Sequence, residues 1–304
     1  MRISVMGLPG RGEDVISVLR QIEEAEQLGF AGFWLAHTIG VDALTLLAMA
    51  GLRTERIELG TFVIPTYPRH PAAIAQQALT TQAACHGRLV LGIGLSHRGV
   101  MQDRLGFNWD HPIRHMREYL ATLDGLLRQE EFTFEGEEFI IRGYQLVLDQ
   151  ASPPSVVVGA LGPQMLRLAG QRADGTALWM GGPDYIANQV KPIISESAQG
   201  AGRPTPRIIA GLPVCVTNRP AETRARAAHA YSIYGRLPSY RAILDREGAA
   251  GPEDVALIGS ASEVHAGLLA LRDAGATDFA GAIFAASEGE RLATLEVLRA
   301  AAGA

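Results

Sequence analysis

The sequence contains little cysteine and almost no lysine. Its two cysteines, Cys85 and Cys215, both lie in apolar segments, which argues against a disulfide framework and against a cysteine metal site. Lys191 is the only lysine, so nearly all of the 27 basic residues are arginines. Acidic residues number 32, and the resulting net charge of −5 argues against a basic surface that binds nucleic acid.

Long apolar runs are also missing, and none reaches the length of a membrane span. The first predicted strand, Arg2–Met6, begins at once, with no hydrophobic leader behind a basic region, so no signal peptide is indicated. We therefore expect a soluble cytoplasmic protein with neither a membrane nor a nucleic-acid partner. Its 304 residues are 47% hydrophobic and 19% charged, a composition that supports a large core and excludes disordered and fibrous classes.

Short apolar runs alternate with helical patterns along most of the chain. The predicted strands are Arg2–Met6, Gly32–Ala36, Ile57–Ile64, Arg88–Ile93, Ser155–Ala160, Thr176–Met180, Arg207–Val216 and Asp278–Phe284. Continuous apolar strands are typical of parallel sheets buried on both faces. Eight of them, each followed by a helix, predict an α/β fold, a (β/α)8 TIM barrel formed by one domain over residues 1–304. The alternative, a doubly wound open sheet, would place a phosphate-binding glycine fingerprint after the first strand, and Met6–Gly12 lacks that spacing.

Two insertions interrupt the alternation, at about 97–150 and about 236–256. The first contains a helical pattern at Pro112–Leu127 and an alternating segment, Phe132–Leu148, which predicts a β-hairpin turning at Glu135-Gly136. The second is expected to be irregular or to form short helices, and to shape the mouth of the barrel.

Candidate functional residues follow the strands, because a barrel of this type has its active site at the C-terminal ends of its strands. His37 is the first strongly polar side chain after strand two and could act as an acid, a base or a hydrogen-bond donor. Asp42 is the expected N-cap of the helix after strand two. After strand three, His70 most simply caps the next helix, and Arg69 could bind an anion or pair with a carboxylate. His97 follows the Gly-x-Gly of strand four, whose last glycine is Gly94, and glycines there let a flat ligand approach the backbone.

Two glycine turns lead from strands into helices, at Ala160-Leu161-Gly162 and at Met180-Gly181. Free backbone N–H groups and the helix dipole make such turns suited to a phosphate. Each turn could equally be an ordinary loop. The sequence shows no HExxH or HxH metal pattern, no GxSxG nucleophile and no Walker motif.

Two long segments resemble the bacterial luciferase-like superfamily, and in particular its coenzyme F-420 (deazaflavin) dependent oxidoreductases. The first is Ile57–His97, IELGTFVIPTYPRHPAAIAQQALTTQAACHGRLVLGIGLSH. The second is Gly159–Met180, GALGPQMLRLAGQRADGTALWM. Asp42–Leu47 and His115–Tyr119 resemble the same branch, and the likeness is weakest from about 200 to 255.

The resemblance implies a bacterial luciferase-like barrel that binds a flavin-type ring above its strands. It places a non-prolyl cis peptide at Phe62-Val63, just after Thr61, as the support of the ring. It assigns the catalytic polar position to His37. It implies ring and chain contacts at Gly94, Ser96 and His97, and phosphate contacts at Ala160, Leu161, Gly162, Met180 and Gly181.

The sequence also departs from its relatives. Ala36 precedes His37 where many relatives have an acidic residue, and Leu95 replaces the glutamate that sugar-phosphate dehydrogenases of the superfamily carry after the Gly-x-Gly. A sugar phosphate is therefore not the expected substrate. The expected function is an F-420-dependent reductase that transfers hydride to an unsaturated or imine small molecule. An FMN-dependent luciferase-like monooxygenase and a non-catalytic cofactor-binding barrel are the alternatives.

Coenzyme F-420 carries a phosphate and a glutamate tail, and a protein with one lysine must hold them with arginines or backbone amides. Arg69 and Arg98 are the candidates for these anion contacts. The resemblance also implies a homodimer. The alanine-rich segment Ala72–Ala84 is compatible with packing between two barrels or with ordinary packing inside one.

Overall fold

The computed structural model describes residues 1–8, 14–149 and 151–302. Twelve strands lie in these ranges. They are β1 (Arg2–Gly7), β2 (Gly32–Leu35), β3 (Glu58–Thr61), β4 (Ile64–Pro65), β5 (Leu89–Gly94), β6 (Phe132–Glu135), β7 (Ile140–Tyr144), β8 (Ser155–Val158), β9 (Gly175–Trp179), β10 (Arg207–Val216), β11 (Leu257–Gly259) and β12 (Asp278–Ile283).

The large sheet is parallel and closes on itself. Its neighbours run β1-β2-β3-β5-β8-β9-β10-β12, and β12 pairs back with β1, with Met6 opposite Ala282. The strand β4 continues the line of β3 and pairs with β5. Eight strand positions therefore form a barrel, and the predicted (β/α)8 fold is confirmed.

Helices surround the barrel. They are α1 (Val15–Gln27), α2 (Ala43–Gly51), α3 (Pro71–Ala84), α4 (Arg98–Met101), α5 (Pro112–Leu127), α6 (Pro163–Arg172), α7 (Pro183–Tyr185), α8 (Lys191–Gly200), α9 (Pro220–Ala230), α10 (Pro238–Arg246), α11 (Pro252–Val255), α12 (Ala261–Ala274) and α13 (Glu288–Ala302). A π-helical stretch, Ile186–Val190, joins α7 to α8. In the ranges that the structure describes, no helix has the length and apolar character needed to cross a membrane.

Local chemistry explains where the helices near the barrel mouth begin. Asp42 caps α2 by accepting a hydrogen bond from the Thr45 backbone at 2.9 Å, and His70 caps α3 through its Nδ1 atom, 3.2 Å from the Ala72 nitrogen. Both caps agree with the sequence prediction. One face of α3 packs against α2 and α5, where Ala75 and Ala78 are buried, while Ala73 is exposed.

The two insertions are ordered in the described ranges. The first holds α4, α5 and the predicted hairpin, in which β6 and β7 pair antiparallel. The second forms α10 and α11 and leads into β11, a short strand that extends the edge of β10 and that the sequence did not reveal.

The N-terminal ends of the strands are closed by an ion cluster. Arg207 donates to the buried Asp278 at 2.6 Å and to Glu58 at 2.8 Å, and Arg2 donates to Glu58 at 3.0 Å. The guanidinium of Arg207 also lies 5.8 Å from the Trp34 ring centroid. The ion cluster therefore stabilises this end of the barrel, and the candidate functional residues lie at the opposite end.

Candidate active site at the barrel mouth

The centre of the site is the break between β3 and β4. The Phe62-Val63 peptide is cis, at the position that the resemblance indicated. The Thr61 hydroxyl fixes this bulge to the next strand, because it donates to the Gly92 carbonyl and accepts from the Gly92 N–H, each at 2.8 Å. The bulge is thus tied to the sheet on the side where the ring is expected.

Val63 forms a platform over two glycines. A methyl group at Gly94 would lie 2.6 Å from Val63 Cγ2, and one at Gly159 would lie 3.2 Å from the same atom. Only glycine at position 94 lets the bulge approach β5 this closely. The glycines predicted to admit a flat ligand therefore also seat the bulge.

Phe62 and Thr61 point away from the platform. The Phe62 ring packs edge-on against Trp34 at 6.0 Å, and it lies so close to Gly211 that a methyl group there would be 2.7 Å from it. The Thr61 side chain is completely buried. These two residues support the bulge from within the barrel, so that Val63 is the member of the predicted trio that faces its mouth.

His37 lies at the N-terminus of α2 and is held in one protonation state. Its Nδ1 atom accepts a hydrogen bond from the Ala43 backbone at 3.3 Å, so the ring proton belongs on Nε2. Burial lowers the pKa of His37, the positive charge of Arg69 lowers it further, and Asp42 opposes them. His37 is therefore a neutral imidazole that offers an N–H donor at neutral pH.

Arg69 is already paired with a carboxylate. Its guanidinium donates to Asp42 Oδ2 at 2.7 Å, and this oxygen lies 3.8 Å from His37 Nδ1. Burial opposes ionisation of Asp42, but hydrogen bonds from Thr45 and the charges of His37 and Arg69 lower its pKa overall. Of the two outcomes foreseen for Arg69, an anion or a carboxylate, the structure has the carboxylate.

Arg98 is different, because it lies exposed on α4 at the rim. Its Nε atom donates to the Gln102 side chain at 2.6 Å, and no carboxylate pairs with it among the residues that the structure describes. Arg98 therefore remains available to an anion.

The two glycine turns have different occupants. Gly162 is the N-cap of α6 and makes no side-chain cap, and a methyl group there would meet nothing within 4 Å, so the start of this helix has open space beside it. At the second turn the Glu247 carboxylate fills the helix start, accepting from the Tyr185 N–H at 2.6 Å and lying 2.5 Å from a methyl group at Gly182. Burial raises the pKa of Glu247. Of the two predicted phosphate turns, the one at Gly162 is free to bind an anion.

Two strand ends have unusual backbone. Ser96 and Met180 adopt positive φ angles of 66° and 61°, which residues other than glycine rarely do. Such conformations concentrate at functional sites, and both of these residues were among the predicted contacts.

One side of the mouth is an aromatic wall that sequence reasoning missed. Its six rings come from separate segments of the chain and are His97, Trp179, Tyr231, Tyr234, Tyr240 and Phe284. Tyr234 is central, with ring centroids 6.3 Å from His97, 6.1 Å from Trp179 and 4.8 Å from Tyr240. Its tyrosines lie between α9 and α10 and on α10, and only the folded chain brings them to the strand ends, so no spacing in the sequence could reveal the wall.

Metal chemistry finds no support in the described ranges, where no group of three or more His, Cys, Asp or Glu side chains could hold an ion. The site offers instead a flat backbone platform, a neutral histidine, an open helix start and an aromatic wall. This combination is suited to a planar organic cofactor and a small organic substrate.

The chain is similar to several known proteins. The 5,10-methylenetetrahydromethanopterin reductase of Methanolobus tindarius is 28% identical over 217 residues, which are 71% of this chain and 66% of the reductase. An F420-dependent secondary alcohol dehydrogenase in complex with an F420-acetone adduct has the same fold, with a TM-score of 0.83, 16% identity, and coverage of 98% of this chain and 97% of that one. The oxygenating constituent of 3,6-diketocamphane monooxygenase from Pseudomonas putida, in complex with FMN, has a TM-score of 0.78 at 19% identity, covering 98% of this chain and 96% of that one.

The chain spans about two thirds of the length of the Methanolobus reductase. The family model described as luciferase-like monooxygenase matches residues 1–278, which is most of the chain. The chain therefore belongs to the luciferase-like monooxygenase family.

Proposed function

We propose that the protein is a coenzyme F-420-dependent oxidoreductase that reduces an unsaturated or imine small molecule. The observation that carries the proposal is the platform formed by Val63 at the cis bulge, directly over Gly94 and Gly159. The similarity to the F420-dependent proteins named above supports F-420 as the cofactor.

The residues present fit such a cofactor. Val63 would lie behind the ring, and Gly94, Ser96 and His97 would border it. The open turn Ala160–Gly162 would hold the phosphate with backbone amides, since its helix start has no side-chain cap. Exposed Arg98 is the candidate for the glutamate tail, because Arg69 already pairs with Asp42.

When bound and reduced, the deazaflavin supplies a hydride, and the protein positions the substrate and excludes water. His37 would serve the substrate as a neutral donor through Nε2–H. Its Nδ1 atom is engaged by the Ala43 N–H, so the ring is fixed in orientation as well as in tautomer. A donor held in this way acts where negative charge develops on the substrate.

An FMN-dependent monooxygenase is the second candidate, and the fold shared with the FMN-bound monooxygenase favours it. Titration of the purified protein with F-420 and, separately, with FMN distinguishes the two. We expect saturable binding of F-420 and none of FMN at the same concentrations. Tight binding of FMN with no binding of F-420 would refute the proposal.

The phosphate assignment has its own test. The substitution Gly162→Asp places a carboxylate at the open helix start and is expected to weaken F-420 binding by at least tenfold. The same change at Gly200, where a side chain also meets nothing within 4 Å, is the control. If both variants bind F-420 like the wild type, the phosphate lies elsewhere.

The predicted homodimer also remains a proposal. Ala75 and Ala78 of α3 are buried within one chain, and Ala73 is the alanine of α3 that is exposed. Size-exclusion chromatography with light scattering measures the state directly.

A further inference from the structure

The aromatic wall is held in place by its own ring contacts. Tyr234 makes tilted or edge-to-face contacts with His97, Trp179 and Tyr240, at interplanar angles of 70°, 67° and 62°. Aromatic pairs favour such geometry. Trp179 ends β9, His97 follows β5, Tyr234 follows α9 and Tyr240 lies on α10 of the second insertion, so the wall links the insertion to the barrel.

The wall carries one buried hydrogen-bond donor that lacks an acceptor. Trp179 is 8% exposed, and its buried Nε1 atom has no hydrogen-bond partner. The Trp179 N–H lies near Tyr234 but does not reach hydrogen-bond geometry with it. Burial raises the pKa of Tyr234, and the nearby Trp179 side chain partly offsets this rise. A buried N–H without a partner costs stability unless a ligand accepts its hydrogen bond.

The tyrosines of the wall are neutral donors at physiological pH. Burial raises the pKa of Tyr231 to about 12 and raises the pKa of Tyr240 as well. Phenols in this state keep their protons and can donate hydrogen bonds to a carbonyl oxygen.

Charged side chains are nearly absent from the wall. Burial alone lowers the pKa of His97, and neither a carboxylate nor a guanidinium perturbs Tyr231, Tyr234 or Tyr240. Arg226 lies over the Phe284 ring at 4.8 Å, but it is held by the Phe284 carbonyl at 2.9 Å. An ionic substrate bound here would lose its water without gaining a counter-ion.

We propose that the substrates are flat, uncharged, conjugated carbonyl compounds and that the aromatic wall selects them. This inference rests on the reductase function proposed above. Ring faces take up the planar conjugated system, and the donors of Trp179 and Tyr234 bind the carbonyl oxygen.

The proposed reaction is a hydride reduction of a carbon–carbon double bond conjugated to a carbonyl group. Hydride from the reduced deazaflavin forms a C–H bond at the β-carbon, and the carbon–carbon π electrons move to the carbonyl oxygen. The resulting enolate oxygen accepts hydrogen bonds from the wall. The α-carbon then takes a proton from solvent, and His37 keeps its Nε2 proton throughout as a hydrogen-bond donor. The products are the saturated carbonyl compound and the oxidised deazaflavin.

A matched pair of probes tests the inference. Coumarin is flat, conjugated and uncharged, and coumarin-3-carboxylate adds one negative charge to the same ring system. Isothermal titration calorimetry of the full chain without cofactor is expected to give at least tenfold weaker binding of the carboxylate. The rate of oxidation of reduced F-420 with each probe is expected to show the same preference.

Two variants remove donors while keeping aromatic rings, Trp179→Phe and Tyr234→Phe. Each is expected to weaken coumarin binding about five- to tenfold, as for the loss of one hydrogen bond, while F-420 affinity and the melting temperature stay close to those of the wild type. Tyr144→Phe, on the exposed hairpin strand β7, is the matched control and should change nothing.

The outcomes separate the two proposals. Equal binding of the two probes, or wild-type coumarin binding in both donor variants, overturns the wall proposal. If F-420 fails to bind while the probe preference and the variant losses hold, the reductase proposal fails and the wall stands. If F-420 binds and is oxidised but the donor variants behave like the wild type, only the wall proposal fails.

Discussion

Replacing Arg69 should change the protonation of His37, and the size of the change follows from the geometry. Arg69 lies 2.7 Å and His37 lies 3.8 Å from the same oxygen of Asp42, so the two cationic groups are within about 6.5 Å. At an effective dielectric constant between ~20 and ~80, Coulomb's law gives about 0.6–2.6 kcal/mol, or about 0.5–2 pKa units. Arg69→Met is therefore expected to raise the pKa of His37 by about one unit.

The upward direction of this change in the pKa of His37 has a structural consequence. Burial and Arg69 keep the pKa of His37 below its usual value, so the ring is neutral at pH 7. Protonated Nδ1 cannot accept the Ala43 N–H, and without Arg69 it would turn to Asp42. We expect Arg69→Met to lose activity as the pH falls toward 6, where the wild type remains active.

Proton NMR of the histidine Cε1–H resonances measures this pKa, with His37→Asn identifying the signal. Arg53→Met is the matched control, because Arg53 pairs with Glu23 beyond the far end of α2. A shift below about 0.3 pKa units in Arg69→Met, or a downward shift, would refute the assigned role of Arg69.

Three other perturbations test the fold and the platform. Burial lowers the pKa of His115 to about 4, so stability is expected to fall by about 2–3 kcal/mol as the pH drops from 6.5 to 4, and His115→Gln should flatten that part of a urea-unfolding profile. Arg207→Met leaves the buried Asp278 with the Arg2 guanidinium at 3.5 Å and the Thr277 hydroxyl at 2.7 Å. This change should cost about 3–5 kcal/mol, measured by denaturant unfolding; a loss below ~1 kcal/mol would contradict the role of the ion cluster. Gly94→Ala should displace Val63 and weaken F-420 binding by at least tenfold. Unchanged affinity would contradict the contact between the Val63 platform and the cofactor.

The barrel could be predicted from the sequence because its strands are continuous apolar runs. Each of the eight predicted strands has a counterpart, and Asp42 and His70 cap the helices that their positions indicated. The short strand β11 was missed, because three residues at the edge of β10 have no periodicity that distinguishes them from a loop.

The site was only partly predictable, and the reason is tertiary packing. The residues that follow each strand could be named, since strand ends converge by the rule of the fold. That Asp42 pairs with Arg69, or that Glu247 fills the second glycine turn, depends on segments distant in sequence. The tyrosines of the aromatic wall lie in the least regular part of the chain, where neither periodicity nor resemblance gave a signal.

The most direct test of the account is the fate of a labelled hydride. Reduced F-420 carrying deuterium at its hydride-donating carbon is incubated anaerobically with the protein and an uncharged enone, and the product is examined by mass spectrometry. The account predicts a saturated ketone carrying one deuterium at the β-carbon. A product without deuterium, or turnover that requires FMN and oxygen, would contradict it.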